Sequence, residues 1–173
     1  KYVTIFAFST ENWRRPKQEV DALISLIHSA VLEQTETLHE QGVKISHIGR
    51  LDRLPIDIQS AIKDSIEITK YNSALTLTIA FDYGGRADIL NAVKSVVNNQ
   101  IESESITESI FSEHLSTKDL PDPDLVIRTA GEMRLSNFLL WESAYAEYYF
   151  TKVMWPDFGQ VEVDHAIAAY AKR

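Results

Sequence analysis

The chain has 173 residues, no cysteine and a formal net charge of −8, with 45% hydrophobic and 24% charged residues. These values are typical of one globular domain with a sizeable core. The negative charge argues against a general nucleic-acid binder, which needs accumulated positive charge. The lack of cysteine excludes disulfides and thiolate chemistry and fits a cytoplasmic location. No apolar run approaches the roughly 20 residues that span a bilayer.

Strand-like and helix-like patterns alternate along the whole chain. They predict strands over 2–8, 43–48, 75–81 and from residue 125, and helices over 16–42, 55–70, 87–97, 107–115 and 161–171. The second helix is expected to turn Ile58, Ile62, Ile66 and Ile68 inward. This alternation predicts an α/β fold in which a mostly parallel central sheet is flanked by helices, as a single domain over 1–173.

Polar segments follow three of the predicted strands. They are 9–15 after Phe8, 82–86 after Phe81, and 128–136 after Ile127. In open parallel sheets ligands bind beyond the carboxyl ends of the strands. The three segments are therefore expected to converge on one edge of the sheet and to form a site there, with Arg128 and Arg134 facing the loop around Asn12.

The third polar segment has the composition of a diphosphate clamp. Arg128 and Arg134 offer planar forks of donors to phosphate oxygens, and Ser136 adds a hydroxyl at an expected helix start, Ser136-Asn137. Aromatic residues follow, namely Trp141, Tyr145, Tyr148, Tyr149, Phe150, Trp155 and Phe158. An anion-binding strand end beside an apolar wall suits an amphiphilic phosphate ester.

Four segments in order, AFSTENWRRP, FDYGGR, DLVIRTAGEMRLSNFLLW and AEYYFTKVMWPDF, resemble the cis-prenyltransferases of the undecaprenyl diphosphate synthase type. The resemblance covers essentially the whole chain. It implies a magnesium-dependent homodimeric transferase that condenses isopentenyl diphosphate onto an allylic diphosphate such as farnesyl diphosphate. The product would be a long-chain Z-polyprenyl diphosphate, such as undecaprenyl diphosphate for the cell-wall lipid carrier.

The resemblance also implies roles for individual residues. Arg128, Arg134, Leu135 and Ser136 match positions that bind isopentenyl diphosphate, and Ser9, Thr10, Glu11, Trp13 and Arg15 match a substrate-binding loop. Asn12 matches a catalytic position concerned with proton removal, although an amide is a poor base and suits a relay or orienting role. Glu147 matches a Mg²⁺ ligand, with an ordinary ion pair to an arginine as the alternative.

A growing polyprenyl chain also needs an apolar tunnel. Ala7 and the helical residues Leu23, Ile24, Ile27 and Val31 are candidates to line it, although most of these also suit plain core packing. A small residue at position 7 favours a long product over a short one. Because such a product leaves most easily into lipid, peripheral contact with a membrane is expected.

The chain departs from the family pattern at two positions and lacks one segment. Met133 stands where relatives carry His or Gln, and Asp82 where Asn is usual. The Asp-Gly-Asn-Gly-Arg-Trp segment, which carries the main metal-binding Asp, is expected upstream of Lys1, so this portion alone should be inactive. Three alternatives remain: a non-catalytic partner subunit, a short-chain Z-prenyl diphosphate synthase, and a nucleotide-binding protein, which lacks a supporting glycine fingerprint.

Overall fold

The computed structural model describes all residues from 1 to 173, and they form two compact units, Lys1–Leu120 and Pro121–Arg173. The first unit contains β1 (Tyr2–Ser9), α1 (Lys17–Glu40), β2 (Val43–Gly49), α2 (Ile56–Thr69), β3 (Leu75–Tyr83), α3 (Gly85–Asn98) and α4 (Glu108–Ser112). The second contains β4 (Leu125–Arg128), β5 (Glu147–Phe150) and α5 (Gln160–Tyr170). The four strands and five helices predicted by range are present, with ends shifted by a few residues at most.

The strands of the first unit form a parallel sheet in the order β1-β3-β2. Each pair of consecutive strands is joined by a helix, because parallel strands need a long crossover to return to the same edge. Pro16 and Pro55 lie immediately before α1 and α2, where a missing backbone N–H costs nothing. The predicted α/β class with parallel strands and covering helices is confirmed.

The core of the first unit lies between the sheet and the helices α1 and α2. Its buried residues are Phe8, Val20, Leu54, Ile58, Ile62 and Phe81, and Leu23, Ile24, Ile27, Val31 and Ile66 pack against them half-buried. The prediction that Ile68 faces inward is wrong, since it is 51% exposed. Two residues along a helix rotate a side chain by about 200°, so Ile66 and Ile68 cannot both face the sheet.

Beyond this apolar core, the inner faces of α1 and α2 carry hydroxyl groups. The Thr35 and Ser65 oxygens lie 2.7 Å apart in a hydrogen bond between the two helices. Thr69 is fully buried, donates to the Ser65 carbonyl (2.8 Å) and accepts from the Ile45 backbone N–H (2.9 Å). These hydroxyls join α1, α2 and β2 at the end of the helices far from Val20 and Ile58.

In the second unit β4 and β5 form a separate two-stranded parallel sheet, in which Leu125 pairs with Glu147 and Arg128 with Phe150. The expectation that all three polar segments lie at one edge of a single sheet is therefore wrong, because the third follows a strand of the second sheet. The sequence did not predict β5 either. Its aromatic residues, Tyr148, Tyr149 and Phe150, are consecutive, so they lack the alternation of apolar and polar residues that indicates a strand.

The expected helix start at Ser136-Asn137 is also wrong. Ser136, Asn137 and Leu139 have φ values of 51°, 68° and 43°, so the backbone takes left-handed turns instead of a helix. Non-glycine residues in this region are uncommon, and Asn is one of the residues that tolerates it. Ser136 therefore cannot bring a helix N-terminus to an anion, and only its hydroxyl and nearby backbone groups remain available.

Candidate functional site

The first two polar segments meet at the carboxyl end of the three-stranded sheet. Ser9, the last residue of β1, pairs with Tyr83 at the end of β3, after an irregularity in register around Ala7. Gly49 ends β2 beside Phe81, with a φ of 104°. A Cβ on Gly49 would lie 2.1 Å from the Phe81 carbonyl oxygen, so only glycine lets the two strand ends approach this closely.

The loop after β1 forms a short 3₁₀ helix, Thr10–Arg14, which fixes the orientation of Asn12. The Ser9 backbone N–H donates to Asn12 Oδ1 at 2.8 Å. The amide nitrogen of Asn12 is then left as a donor, because its oxygen is occupied. Thr10 in turn donates to Glu11 Oε2 at 3.0 Å. This loop therefore presents the Asn12 amide N–H as a donor, beside the carboxylate of Glu11.

Trp13 and Arg15 follow on the same loop. The Trp13 ring meets Phe8 edge to face at 5.2 Å, and its Nε1 is buried without a hydrogen-bond partner. Arg15 is half exposed and lies 3.5 Å from Glu19 on the first turn of α1. Exposed i,i+4 pairs of this kind contribute only about 0.3–0.5 kcal/mol, so Arg15 can leave Glu19 for a ligand at little cost.

Asp82 is the most unusual residue at this end of the sheet. Its residue exposure is 1%, its φ is 45°, and neither carboxylate oxygen accepts a hydrogen bond. The nearest cation is Arg53, whose Nε lies 3.6 Å from Oδ2. No motif in the sequence indicates a role for Arg53. The only available signal was the departure from Asn at position 82, which gives no indication of the partner.

Two further titratable groups lie close to this cluster in sequence. Burial lowers the pKa of His47, although a hydrogen bond involving the Phe81 backbone and the charge of Asp82 act in the opposite direction. Burial raises the pKa of Asp88, against the hydrogen bonds from Ser116. Asp88 accepts from the Ser116 N–H at 3.1 Å and from its hydroxyl at 2.8 Å, which ties the start of α3 to the segment after α4.

The third polar segment begins where β4 ends. Arg128 is half-buried, and its Nε is buried without a hydrogen-bond partner. Ala130 and Gly131 then turn through left-handed φ values of 65° and 70°, and their N–H groups donate to Val153 and Thr151. An unpartnered buried guanidinium nitrogen is costly unless a ligand satisfies it, so Arg128 Nε is available to a ligand at this strand end.

The remaining residues of this segment are more exposed. Arg134 has a side-chain exposure of 62% and forms an ion pair with Glu132, in line with a structural role for that acid. Leu135 is half-buried, Ser136 is exposed, and Met133 is 78% exposed. The segment therefore offers two guanidiniums and a hydroxyl, as the composition predicted, without the expected helix N-terminus.

Comparison with known proteins agrees with this chemistry. The sequence family described as "Putative undecaprenyl diphosphate synthase" matches residues 1–173. Isoprenyl transferase of Clostridium perfringens is 44% identical over 177 residues, which cover 100% of this chain and 70% of that protein. Isoprenyl transferase of Neisseria gonorrhoeae is 46% identical over 173 residues, covering 100% of the chain and 69% of that protein. The chain belongs to the cis-prenyltransferase family.

Solved structures of this family have the same fold. Lavandulyl diphosphate synthase from Lavandula x intermedia, in complex with dimethylallyl diphosphate, superposes with a TM-score of 0.96 at 37% identity. That match covers the whole chain and 77% of the plant protein. A "probable undecaprenyl diphosphate synthase" from Campylobacter jejuni gives a TM-score of 0.91 at 35% identity, covering 100% and 82%. The chain is therefore a transferase domain of prenyltransferase type.

The resemblance to the cis-prenyltransferases predicts that Glu147 is a ligand for Mg²⁺. Glu147 is exposed and makes no ion pair, so its carboxylate is free to take a hard cation. The strand register, however, places it opposite Leu125, three residues from the Arg128–Phe150 pair, or about 10 Å along the strands. Residues 1–173 contain no group of three His, Asp or Glu side chains that could hold a metal ion.

The candidate tunnel residues of this prenyltransferase divide into two groups. Leu23, Ile24, Ile27 and Val31 pack half-buried against the core, which is the ordinary role considered for them. Ala7 instead is exposed at the irregularity of β1. A groove with a volume of about 590 Å³ lies between α1 and α2 and is lined by Val31, Thr35 and Ile68 among others. None of the helices has the length and apolar character needed to cross a bilayer.

Proposed function

We propose that this chain catalyses the condensation of isopentenyl diphosphate onto an allylic diphosphate primer, with farnesyl diphosphate as the primer and a long-chain Z-polyprenyl diphosphate as the product. Undecaprenyl diphosphate, for cell-wall lipid carrier synthesis, is the product of this class. The observation that carries the proposal is the family match over all 173 residues, together with two relatives at 44% and 46% identity.

In this proposal the segment after β4 binds isopentenyl diphosphate. Arg128 presents a buried, unpartnered Nε, and Arg134 is exposed and held only by Glu132. Leu135 and Ser136 complete the set with an apolar contact and a hydroxyl. Guanidinium forks fix the orientation of a diphosphate. Holding the double bond of isopentenyl diphosphate close to the allylic C1 of the primer lowers the entropic part of the barrier.

The loop after β1 serves the reacting ends of the substrates. During transfer the allylic C1–O bond breaks and releases diphosphate, a C–C bond forms to isopentenyl diphosphate, and a proton passes from the adjacent carbon of the new unit to a diphosphate oxygen. Asn12 has its oxygen bound to the Ser9 N–H, so it acts by donating its amide N–H to a diphosphate oxygen. Ser9, Thr10, Glu11, Trp13 and Arg15 form the binding loop around it.

Magnesium belongs to the proposal as a cofactor that neutralises the departing diphosphate. Glu147 is the candidate ligand within this chain, since Mg²⁺ in phosphate-binding sites commonly uses one or two carboxylates together with substrate oxygens. Because the register separates Glu147 from Arg128, no catalytic step is assigned to it.

The exposed aromatic surface of the second unit supports a homodimer. Tyr145 is 96% exposed, and the stacked pair Tyr148 and Phe150 lies on β5, an edge strand. A monomeric protein rarely leaves several aromatic residues together in water. Cytoplasmic location with peripheral membrane contact completes the proposal, because a long polyprenyl product leaves most easily into lipid.

A short-chain Z-prenyl diphosphate synthase is the second candidate. It is favoured by the TM-score of 0.96 to lavandulyl diphosphate synthase, which was solved with dimethylallyl diphosphate. The third, a non-catalytic partner subunit, would have no need of the unpartnered Arg128 or of Asn12. The primer and the product length discriminate between the first two candidates, and turnover itself tests the third.

The test is a turnover assay on the full-length protein. Radiolabelled isopentenyl diphosphate is supplied with Mg²⁺ and either farnesyl or dimethylallyl diphosphate, and the product length is read by chromatography. Long products from farnesyl diphosphate are expected. Short products from dimethylallyl diphosphate would favour the second candidate, and no turnover with either primer would favour the partner subunit.

Arg128→Ala and Arg128→Lys test the clamp in the same assay. Alanine is expected to raise KM for isopentenyl diphosphate by about 10- to 100-fold and to lower kcat, the loss expected for a charged hydrogen-bond donor. Lysine keeps the charge without the fork and is expected to recover only part of the loss. If kcat and KM of the alanine variant both stay within about twofold of the wild type, Arg128 does not bind this substrate.

A further inference from the structure

A buried carboxylate with no hydrogen bonds lies at the end of β3, the central strand of its sheet. Asp82 is 1% exposed and is held with a φ of 45°, a conformation that non-glycine residues rarely adopt. Both features cost free energy, and neither is offset by a hydrogen bond to the carboxylate. Strain and unsatisfied burial at the carboxyl end of a parallel sheet are typical of a functional position.

Arg53, the cation beside Asp82, has N–H groups that form no good hydrogen bond. Arg53 Nε lies 3.6 Å from Asp82 Oδ2, close enough for charge attraction and too long for a good hydrogen bond. The neighbouring pair Arg50 and Asp52 shows the contrast. Its two exposed side chains form two hydrogen bonds of 2.9 and 2.6 Å, so that guanidinium is already engaged. Arg53 is attracted to its partner, and its N–H groups remain available.

The Arg53 guanidinium also lies against the indole of Trp13. Its Cζ is 5.6 Å from the ring centroid, within the range of a cation–π contact. The Trp13 Nε1–H is buried and unpartnered. Asp82 and Trp13 therefore hold the guanidinium from two sides, while its side chain stays 42% exposed. The arrangement fixes an arginine and leaves its donors facing outward at the loop that carries Asn12.

We propose that Arg53 is a further binding residue of this enzyme, which donates to a diphosphate oxygen of a substrate while Asp82 and Trp13 hold its guanidinium in place. This inference rests on the proposed function and adds a residue that neither the motifs nor the resemblance assigned. The diphosphate could belong to isopentenyl diphosphate or to the allylic primer. Both carry the same group, so the experiment measures them separately.

The first measurement is the affinity of the complete enzyme for inorganic pyrophosphate by titration calorimetry. Arg53→Ala alone leaves Asp82 buried without a cation and can fail to fold, so the decisive variant is the double substitution R53A/D82N. It removes the donor and the buried charge together. We expect pyrophosphate binding about tenfold weaker than in the wild type, the loss carried by one charge-assisted hydrogen bond. R50A/D52N is the matched control, because it removes the neighbouring arginine–aspartate pair with the same zero change in net charge, and it should change the affinity by less than about twofold.

The second measurement is KM for each substrate. The substrate whose diphosphate binds Arg53 should show an increase in KM of about tenfold in R53A/D82N, while KM for the other changes by less than about threefold. D82N with Arg53 retained removes only the holding carboxylate, so it should lose less pyrophosphate affinity than R53A/D82N, and the difference measures the contribution of Arg53. If R53A/D82N binds pyrophosphate and both substrates within about twofold of the wild type, Arg53 does not bind diphosphate.

The result can be separated from a failure of the proposed function. If the wild type makes no polyprenyl product, while R53A/D82N binds pyrophosphate more weakly than the wild type, the prenyltransferase assignment fails and the anion-binding role of Arg53 stands. If the wild type is active and the double variant binds and turns over normally, the assignment stands and the role of Arg53 is refuted. Equal losses in R50A/D52N and R53A/D82N would show a nonspecific effect of removing an arginine–aspartate pair from this loop and would also refute it.

Discussion

At the level of single side chains, two substitutions of Asn12 distinguish a role as a hydrogen-bond donor from a role in a proton relay. Its Oδ1 accepts from the Ser9 N–H at 2.8 Å, so its amide nitrogen is the group left for a substrate. Asn12→Asp keeps the acceptor and the loop geometry but replaces the donor by a negative charge. We expect kcat/KM to fall by about 10²–10³ in Asn12→Ala, and further in Asn12→Asp because carboxylate and diphosphate repel each other.

Steady-state kinetics at saturating primer, with isopentenyl diphosphate varied, give the comparison. Arg14→Ala is a control on the same loop, since Arg14 is exposed and lies outside the set of binding residues. A relay or base role gives the opposite order, because a carboxylate is a much better base than an amide. An Asn12→Asp variant more active than Asn12→Ala would therefore contradict the donor assignment.

At the level of the helices and strands, a single buried hydroxyl joins α2 to β2. Thr69 is fully buried and is the acceptor for the Ile45 N–H as well as a donor to the Ser65 carbonyl. Thr69→Val keeps the shape but leaves a buried backbone N–H and a carbonyl lone pair without this partner. We expect the free energy of unfolding to fall by about 1–3 kcal/mol, measured by urea denaturation.

Thr69→Ser provides the matched control, because it retains the hydroxyl and removes only one methyl group. Its loss should be close to that of one buried methyl, about 1 kcal/mol, and smaller than that of Thr69→Val. Equal stability of the valine variant and the wild type would show that the hydroxyl contributes nothing net to the joining of α2 and β2.

The sequence allowed the elements of the first unit to be predicted well, because their signals are local. Apolar residues recur every three or four positions in α1 and α2, and proline precedes each helix. Ile58 and Ile62 were correctly placed inside, whereas Ile68 was not, since an isoleucine-rich helix has more apolar residues than its inner face can hold. Periodicity identifies a helix more reliably than it identifies which of several apolar residues are buried.

The second unit was harder to predict, for a different physical reason. The segment after Arg128 folds through left-handed turns at Ala130, Ser136 and Asn137, whose φ values depend on tertiary contacts that sequence patterns do not encode. The same is true of the Arg53–Asp82 pair, which joins residues 29 positions apart. Residue types that bind diphosphate could be recognised by composition, but the backbone that presents them could not.

For the molecule as a whole, the proposed homodimer depends on apolar contact and not on charge. The chain carries −8, so two copies repel each other at long range, and attraction must come from buried apolar area. Phe150 is 38% exposed and stacks on Tyr148 along the edge strand β5. A patch that lies on a two-fold axis contacts its own copy, so one substitution there acts twice.

Phe150→Arg is therefore expected to convert the dimer into a monomer, because it places guanidiniums from both copies within one apolar contact. Light scattering after size-exclusion chromatography should give about twice the chain mass for the wild type and one chain mass for the variant. Val97→Arg, at a residue that is 68% exposed on α3, is the matched control and should leave the dimer intact. A Phe150→Arg protein that remains dimeric at micromolar concentration would place the dimer contact elsewhere than β5.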